Sequence, residues 1–113
     1  MGLVFLRTRD LEGVVAFYVD RVGATVWHEQ PDCTILDHDG FRFAFCAGET
    51  AETDGVLTFV HPDRAGVDAA YRRLSDLADE EPRYNDRYEI YQFFATDPEG
   101  RTVEVQTFEH EGA

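Results

Sequence analysis

The chain repeats itself, and that limits what it can fold into more than any other feature. Gly13-Val14-Val15-Ala16-Phe17-Tyr18 overlays Gly66-Val67-Asp68-Ala69-Ala70-Tyr71 at an offset of 53 residues, and the same offset carries Leu3 onto Val56. Asp37-His38-Asp39-Gly40 corresponds to Asp97-Pro98-Glu99-Gly100 at an offset of 60, so the second half is seven residues longer. Around these landmarks both halves run in one order. Leu3–Thr8 is an apolar run of strand type. Asp10 is placed to cap a helix with the stripe Leu11, Val14, Val15, Tyr18, Val19 and Val22, closed by Gly23. Residues 24–29 and 33–37 read as strands, Asp39-Gly40 as a two-residue hairpin turn, and 41–46 as its returning strand. Residues 48–55 are polar and read as a linker. Val56–Val60 then repeats the first strand, and a helix capped near Asp63 carries the stripe Val67, Ala70, Tyr71, Leu74 and Leu77. Residues 80–87 read as a charged loop, 88–95 as a strand, Asp97 to Gly100 as a turn and 101–108 as the closing strand. Two βαβββ modules, 1–54 and 55–113, in one α+β domain are the economical reading; chance similarity within a short chain is the alternative.

Composition agrees with one folded domain. At 113 residues and 12.9 kDa, with 43% hydrophobic and 13% aromatic residues, the chain has the material for a single core, which excludes disorder. No apolar run approaches the roughly 18 residues of a membrane span. The start, Met1 to Arg7, lacks a basic region and a small-residue cleavage site, so a cytoplasmic location is expected. Twenty-three acids face ten bases, all arginine, giving a net charge of −13. Such a field repels phosphate backbones, so no nucleic-acid partner is expected. The acids are scattered and form no tail, the pattern of a halophilic, acidic protein; an acidic interaction surface is the alternative.

The residues Asp10-Leu11, Ala16-Phe17-Tyr18 and Gly23, then Gly66 to Ala70, then Asp97-Pro98-Glu99-Gly100 with Val103-Glu104-Val105, resemble the vicinal oxygen chelate superfamily of glyoxalase I, bleomycin-resistance proteins and extradiol dioxygenases. The likeness covers nearly the whole chain. It implies that the two modules form a U-shaped cleft, often completed by a homodimer, and that catalytic members hold a divalent metal on the first and last strand of each module. The matching positions here are Leu3, Ala44, Val56 and Glu104, of which Glu104 alone can ligate. A catalytic site generally wants at least three protein ligands. No cofactor is therefore expected, with a divalent metal on Glu104 as the alternative.

Strand alternation, taken with those positions, assigns the cleft face. Leu3, Phe5, Arg7, Val56, Thr58, Val60, Thr102, Glu104 and Gln106 look toward the cleft; Val4, Leu6, Leu57, Phe59, Val103 and Val105 look toward the helices. A two-residue turn at Asp39-Gly40 pairs Asp37 with Arg42, Ile35 with Ala44 and Cys33 with Cys46 on the cleft side, with Phe41, Phe43 and Phe45 on the core side. Glu104 among apolar neighbours is a candidate general base or ligand anchor, and an ion pair with Arg7 is the structural alternative. Arg7 could also hold an anion by a bidentate contact. Phe5, Thr58, Tyr91 and Gln106 complete the candidate ligand-binding set; for the cluster Tyr84, Tyr88, Tyr91 and Phe93 core packing is the leading reading, with the wall of an apolar ligand pocket as the alternative. Cys33 and Cys46 fit neither a CxxC motif nor a zinc finger; two reduced, packed thiols are expected, with a redox pair or half of a soft-metal site as alternatives. His28, His38, His61 and His110 show no ligand spacing, and His61 is expected to point away from the cleft. The leading expectation is a protein that encloses a small, partly apolar molecule without the family's metal. Its rivals are a metal-dependent isomerase, lyase or dioxygenase completed by an unexpected ligand such as His61, and a structural or regulatory dimer.

Overall fold

The computed structural model of the chain describes residues 1–111. Its backbone divides into two compact units, the first ending at Asp54 and the second beginning at Gly55. Each is a four-stranded mixed sheet with one helix, an α+β arrangement. The first unit holds β1 (Leu3–Thr8), α1 (Leu11–Phe17), β2 (Thr25–Gln30), β3 (Cys33–His38) and β4 (Phe41–Ala47), with sheet order β1-β4-β3-β2. The second holds β5 (Val56–Val60), α2 (Arg64–Leu74), β6 (Arg83–Asn85), β7 (Ile90–Thr96) and β8 (Thr102–Phe108), ordered β5-β8-β7-β6. In both, the first strand is parallel to the last and the remaining pairs are antiparallel.

The repeat is visible in the chemistry of the helix starts. The Asp10 carboxylate accepts from the Gly13 amide at 3.1 Å, and Asp63 accepts from Gly66 at 2.9 Å. These caps satisfy amides that a helix leaves open. An added Cβ would press on the Asp10 carboxylate at position 13 and on the His61 ring at position 66, so the cap or the imidazole would have to shift. α1 continues as a π-helical turn over Tyr18–Val22 and ends at Gly23, whose φ of 95° is left-handed. Val14, Tyr18 and Val22 of the stripe are buried, and the Tyr18 ring stacks 5.1 Å from Phe45.

Asp39 and Gly40 have φ of 51° and 92°, the positive pair that a tight primed hairpin requires. The turn sets the register of β3 on β4, with Asp37 opposite Arg42, Ile35 opposite Ala44 and Cys33 opposite Cys46. Asp37 and Arg42 approach to 3.5 Å. The register also corrects one expectation: Cys33 and Cys46 are joined as a disulfide, not packed as two thiols. Their Cα atoms lie 4.1 Å apart on facing positions, so both side chains leave the sheet on the same face within bonding reach.

The second core lies between α2 and one face of its sheet. Phe59, Phe93, Ala95, Val103 and Val105 are buried there with Val67, Ala70 and Leu74 of the helix, each large side chain contributing about 1.5–3 kcal/mol of apolar burial. Tyr71 meets Phe93 edge-on at 5.4 Å. In the first unit α1 packs on β3 and β4 and leaves the edge strand β1 thinly covered. Val4, expected in the core, is accordingly 39% exposed, and Leu6 is half-buried. A second correction is β6, which forms inside the charged stretch read as a loop; Tyr84 and its neighbours pair with β7. Among the described residues no helix is long and apolar enough to cross a membrane.

The β7–β8 turn contains a buried ion pair that the turn motif alone does not reveal. Arg101 is 2% exposed, and its Nη1 donates to Asp97 Oδ2 at 3.0 Å and Glu99 Oε1 at 2.9 Å. Asp97 Oδ1 accepts the Arg101 and Glu99 amides at 3.0 and 2.8 Å. Burial works against the guanidinium charge, but the hydrogen bonds it donates to Asp97 and Glu99 outweigh it and hold the Arg101 group above its ordinary range. Removing one member of such a pair strands the other. Asp97→Ala is expected to lower stability by about 3–5 kcal/mol, read by denaturant titration at constant salt, and a loss under about 1 kcal/mol would show that water replaces the carboxylate.

Candidate functional site

Glu104 stands on the face of the second sheet that α2 does not cover. Its neighbours along β8, Val103 and Val105, are 0% and 1% exposed against the helix, so alternation turns Glu104 to the other side. Thr58 faces it from β5 in the parallel register and donates its hydroxyl to Glu104 Oε1 at 2.9 Å. Gln92 reaches in from β7 and donates Nε2 to Oε2 at 2.5 Å. The Gln92 carbonyl in turn accepts Asn85 Nδ2 from β6 at 2.9 Å. Asn85 Oδ1 accepts the backbone amides of Arg87 and Tyr88 at 3.1 and 3.3 Å. One polar ladder therefore crosses all four strands, with Asn85 orienting the Gln92 amide and Thr58 and Gln92 delivering donors to a single carboxylate from either side.

All four ladder side chains belong to half-buried residues. Phe94, the antiparallel partner of Glu104, shares the face and is 37% exposed; Val56 and Val60 flank Thr58 at 53% and 41%. Gln106 lies one pleat further along β8, opposite Gln92 and Val60, and is 8% exposed. At the β6 end a depression of about 410 Å³ is lined by Asn85, Gln92, Phe94, Asp79 and Glu81, among others.

Of the sequence candidates, Thr58, Glu104 and Gln106 come together on this face. Tyr91 does not. It faces α2, where its hydroxyl donates to Asp68 Oδ1 at 2.7 Å and the Arg64 guanidinium lies 4.4 Å above its ring. The expectation of Tyr91 as a ligand contact is thus corrected: it stands one position before Gln92, so alternation sends it to the opposite side. Arg64 also pairs with Glu109 at 2.6 Å, and that hydrogen bond holds the Glu109 carboxyl below the usual carboxylate range. His61 also keeps to the helix side, its ring beside Gly66 at the start of α2.

Phe5 and Arg7 belong to the first unit, on β1. Phe5 is 51% exposed and faces Ala44; Arg7 stands beside Cys46. The Arg7 amide donates to Glu52 Oε1 at 2.8 Å and its carbonyl accepts from Glu52 N at 3.0 Å, so the linker residue closes against β1 as an extra rung. Phe5, Ala44 and Ile35 occupy the register positions that Thr58, Glu104 and Phe94 hold in the second sheet. Gln92 and Asn85 were not among the sequence candidates. Alternation along β7 was the available signal for Gln92, while Asn85 was hidden because β6 carries no apolar pattern.

A pair of βαβββ modules, each with first and last strands parallel, defines a paired-module α+β class. Residues 1–105 match the family model described as the Glyoxalase/Bleomycin resistance protein/Dioxygenase superfamily, and the chain belongs to that superfamily. Among curated proteins no match was found. Solved structures similar to it include a lactoylglutathione lyase from Agrobacterium tumefaciens, 20% identical with a TM-score of 0.79 over 100% of this chain and 96% of that one. A glyoxalase/bleomycin resistance protein/dioxygenase family enzyme from Burkholderia phytofirmans PsJN is 21% identical, with a TM-score of 0.78 over 93% and 95%. A possible glyoxalase from Bacillus cereus is 24% identical, with a TM-score of 0.73 over 93% and 97%. At these identities the likeness is one of fold.

The placement of Tyr91 has a measurable consequence. The hydrogen bond to Asp68, then burial, raises its phenol above the ordinary value. A raised acid favours the folded state while protonated, so this contribution is complete below the unfolded value and is lost as pH rises through the folded one. Ultraviolet titration is expected to show a phenol ionising above the ordinary tyrosine value that Asp68→Asn shifts back down.

Proposed function

We propose that the chain binds a small, partly apolar molecule on the helix-free face of its second sheet, with Glu104 as the acceptor that fixes the ligand's polar end. The observation that carries this reading is the convergence of Thr58 and Gln92 on the two oxygens of one carboxylate. An ionised carboxylate offers about four lone-pair sites, so the two internal bonds orient it and leave the rest for a guest. Because Gln92 is itself held by Asn85, little freedom is lost on binding. The ligand's polar end is then a donor: a hydroxyl, an amide N–H or an ammonium. A net charge of −13 favours the same choice over an anion. Val56, Val60 and Phe94 supply apolar contact, and Gln106 adds a second polar point.

A metal of the kind that the family resemblance implies does not fit these residues. Leu3, Ala44 and Val56 carry no ligating side-chain atom, and the His61 ring is committed to the helix side. Among the described residues no group of three or more His, Cys, Asp or Glu side chains is placed to hold a metal ion. The reading is of a family member that works without one, and the chemistry of its donor set is the argument.

Two experiments test this. Protein stripped of metals is titrated calorimetrically with Zn, Ni, Mn and Fe(II), then with phenethylamine and phenylacetate as donor-bearing and anionic probes. Phenethylamine is expected to bind better than phenylacetate, with Glu104→Gln weakening it roughly 10-fold or more, the size of a hydrogen bond to a charged group. Tight binding of one metal per chain, abolished by Glu104→Ala, would overturn the reading. The reading also includes a homodimer, supported by the edge strands β1 and β5, which expose Leu3, Val4, Phe5, Val56 and Val60. Sedimentation is expected to give twice the chain mass, and Phe5→Asp to shift it toward the monomer.

A further inference from the structure

We propose that Cys33 and Cys46 form a thiol–disulfide exchange centre that reacts with small thiols carrying an amine. The centre belongs to the first unit and does not depend on the role given to Glu104. Both cysteines are half-buried, so the bond is neither sealed in a core nor fully open. Both line a depression of about 560 Å³, room enough for a small thiol, together with Phe5, Arg7, Asp32 and Glu52.

The two sulfurs have different neighbours. Cys46 stands beside Arg7 in the parallel β1–β4 register, on the same face. Cys33 directly follows Asp32, which has a φ of 66° in the β2–β3 turn. A nearby cation stabilises a departing thiolate, so the attacked sulfur is Cys33 and the leaving sulfur is Cys46. An incoming thiolate bonds to Cys33 Sγ while the Cys33–Cys46 bond breaks, its electron pair passing to Cys46 Sγ. A second thiolate attacks the sulfur of the bound small thiol, the mixed disulfide breaks, and the small disulfide leaves with Cys33 as thiolate. Two small thiols are oxidised to one disulfide as the protein disulfide is reduced to two thiols; the protons lost by the small thiols end on the cysteines or in solvent. The same small disulfide reverses the sequence.

The backbone permits this without unfolding. The ladder continues past the bond, since Ala47 donates its amide to the Asp32 carbonyl at 2.8 Å, and the Asp39-Gly40 turn closes the other end of the hairpin. Charge sets the preference among thiols. Arg7 is outnumbered by Asp32 and Glu52 within the depression, and the whole chain carries −13, so an ammonium-bearing thiol is drawn in and a carboxylate-bearing one repelled.

The test uses the oxidised native chain, with cysteamine, 2-mercaptoethanol and mercaptoacetate compared at equal thiolate concentration. Released protein thiols are counted by alkylation and mass spectrometry, and circular dichroism reports the fold throughout. Reduction is expected without denaturant, faster for cysteamine than for mercaptoacetate by about tenfold at low salt, the ratio falling toward one as salt screens the charges. In Cys46→Ser, cystamine is expected to load Cys33 as a stable mixed disulfide, and Arg7→Gln to slow the first exchange several-fold. Reduction only where the chain has unfolded, or equal rates for the cationic and anionic thiols at low salt, would overturn the proposal. Both outcomes are read on the unaltered protein and stand whatever the variants do.

Discussion

In each unit the first strand runs parallel to the last, Leu3 beside Arg42 and Val56 beside Thr102. No tight turn can make such a pair, because the chain must cross over the sheet before it can return in the same direction. Each unit supplies one helix for the crossing, and its start is set by Asp10 or Asp63 acting on an amide three residues on. The rest of the unit follows. The helix covers one face, the alternation of the strands buries Val103, Val105 and their neighbours under it, and the other face is left for chemistry. The parallel register places Thr58 beside Glu104, the contact on which the candidate site is built.

The same scaffold has been given two kinds of free face. Register position by register position, Phe5, Ala44 and Ile35 in the first sheet stand where Thr58, Glu104 and Phe94 stand in the second. The facing pair Cys33 and Cys46 corresponds to the facing pair Gln92 and Gln106. One sheet therefore carries a covalent cross-strand link amid apolar residues, and the other a hydrogen-bonded ladder ending on a carboxylate. The two modules share what builds them, the caps and the helix stripe, and differ in the side chains that reach the free face.

How much of this was legible follows from the range of each interaction. Local signals read well. The Asp39-Gly40 turn sets the hairpin register, which places Asp37 opposite Arg42 and Cys33 opposite Cys46, and the helix stripes and caps rest on spacings of a few residues. Family likeness and strand parity placed Thr58, Glu104 and Gln106 on one face. Other features were not legible. β6 forms in a charged stretch because β7 offers it an open edge, which no property of residues 83–85 announces. Tyr91 was expected at the ligand and sits against α2, because its face depends on where β7 enters the register. Val4 was expected in the core, but its coverage depends on how far α1 extends over β1.

The amino-acid sequence by itself determined the repeat, the order of elements, the caps and turns, and the absence of ligating atoms at Leu3, Ala44 and Val56. These rest on residue identity and short spacing, which a linear chain states directly. Tertiary structure decided which partners each polar group found: Gln92 and Thr58 for Glu104, Asp68 for Tyr91, Asp97 and Glu99 for the buried Arg101, and Cys33 for Cys46 as a bond and not merely a neighbour. Those choices depend on distances of a few ångströms between strands far apart in the chain, and such distances exist only once the sheets have formed.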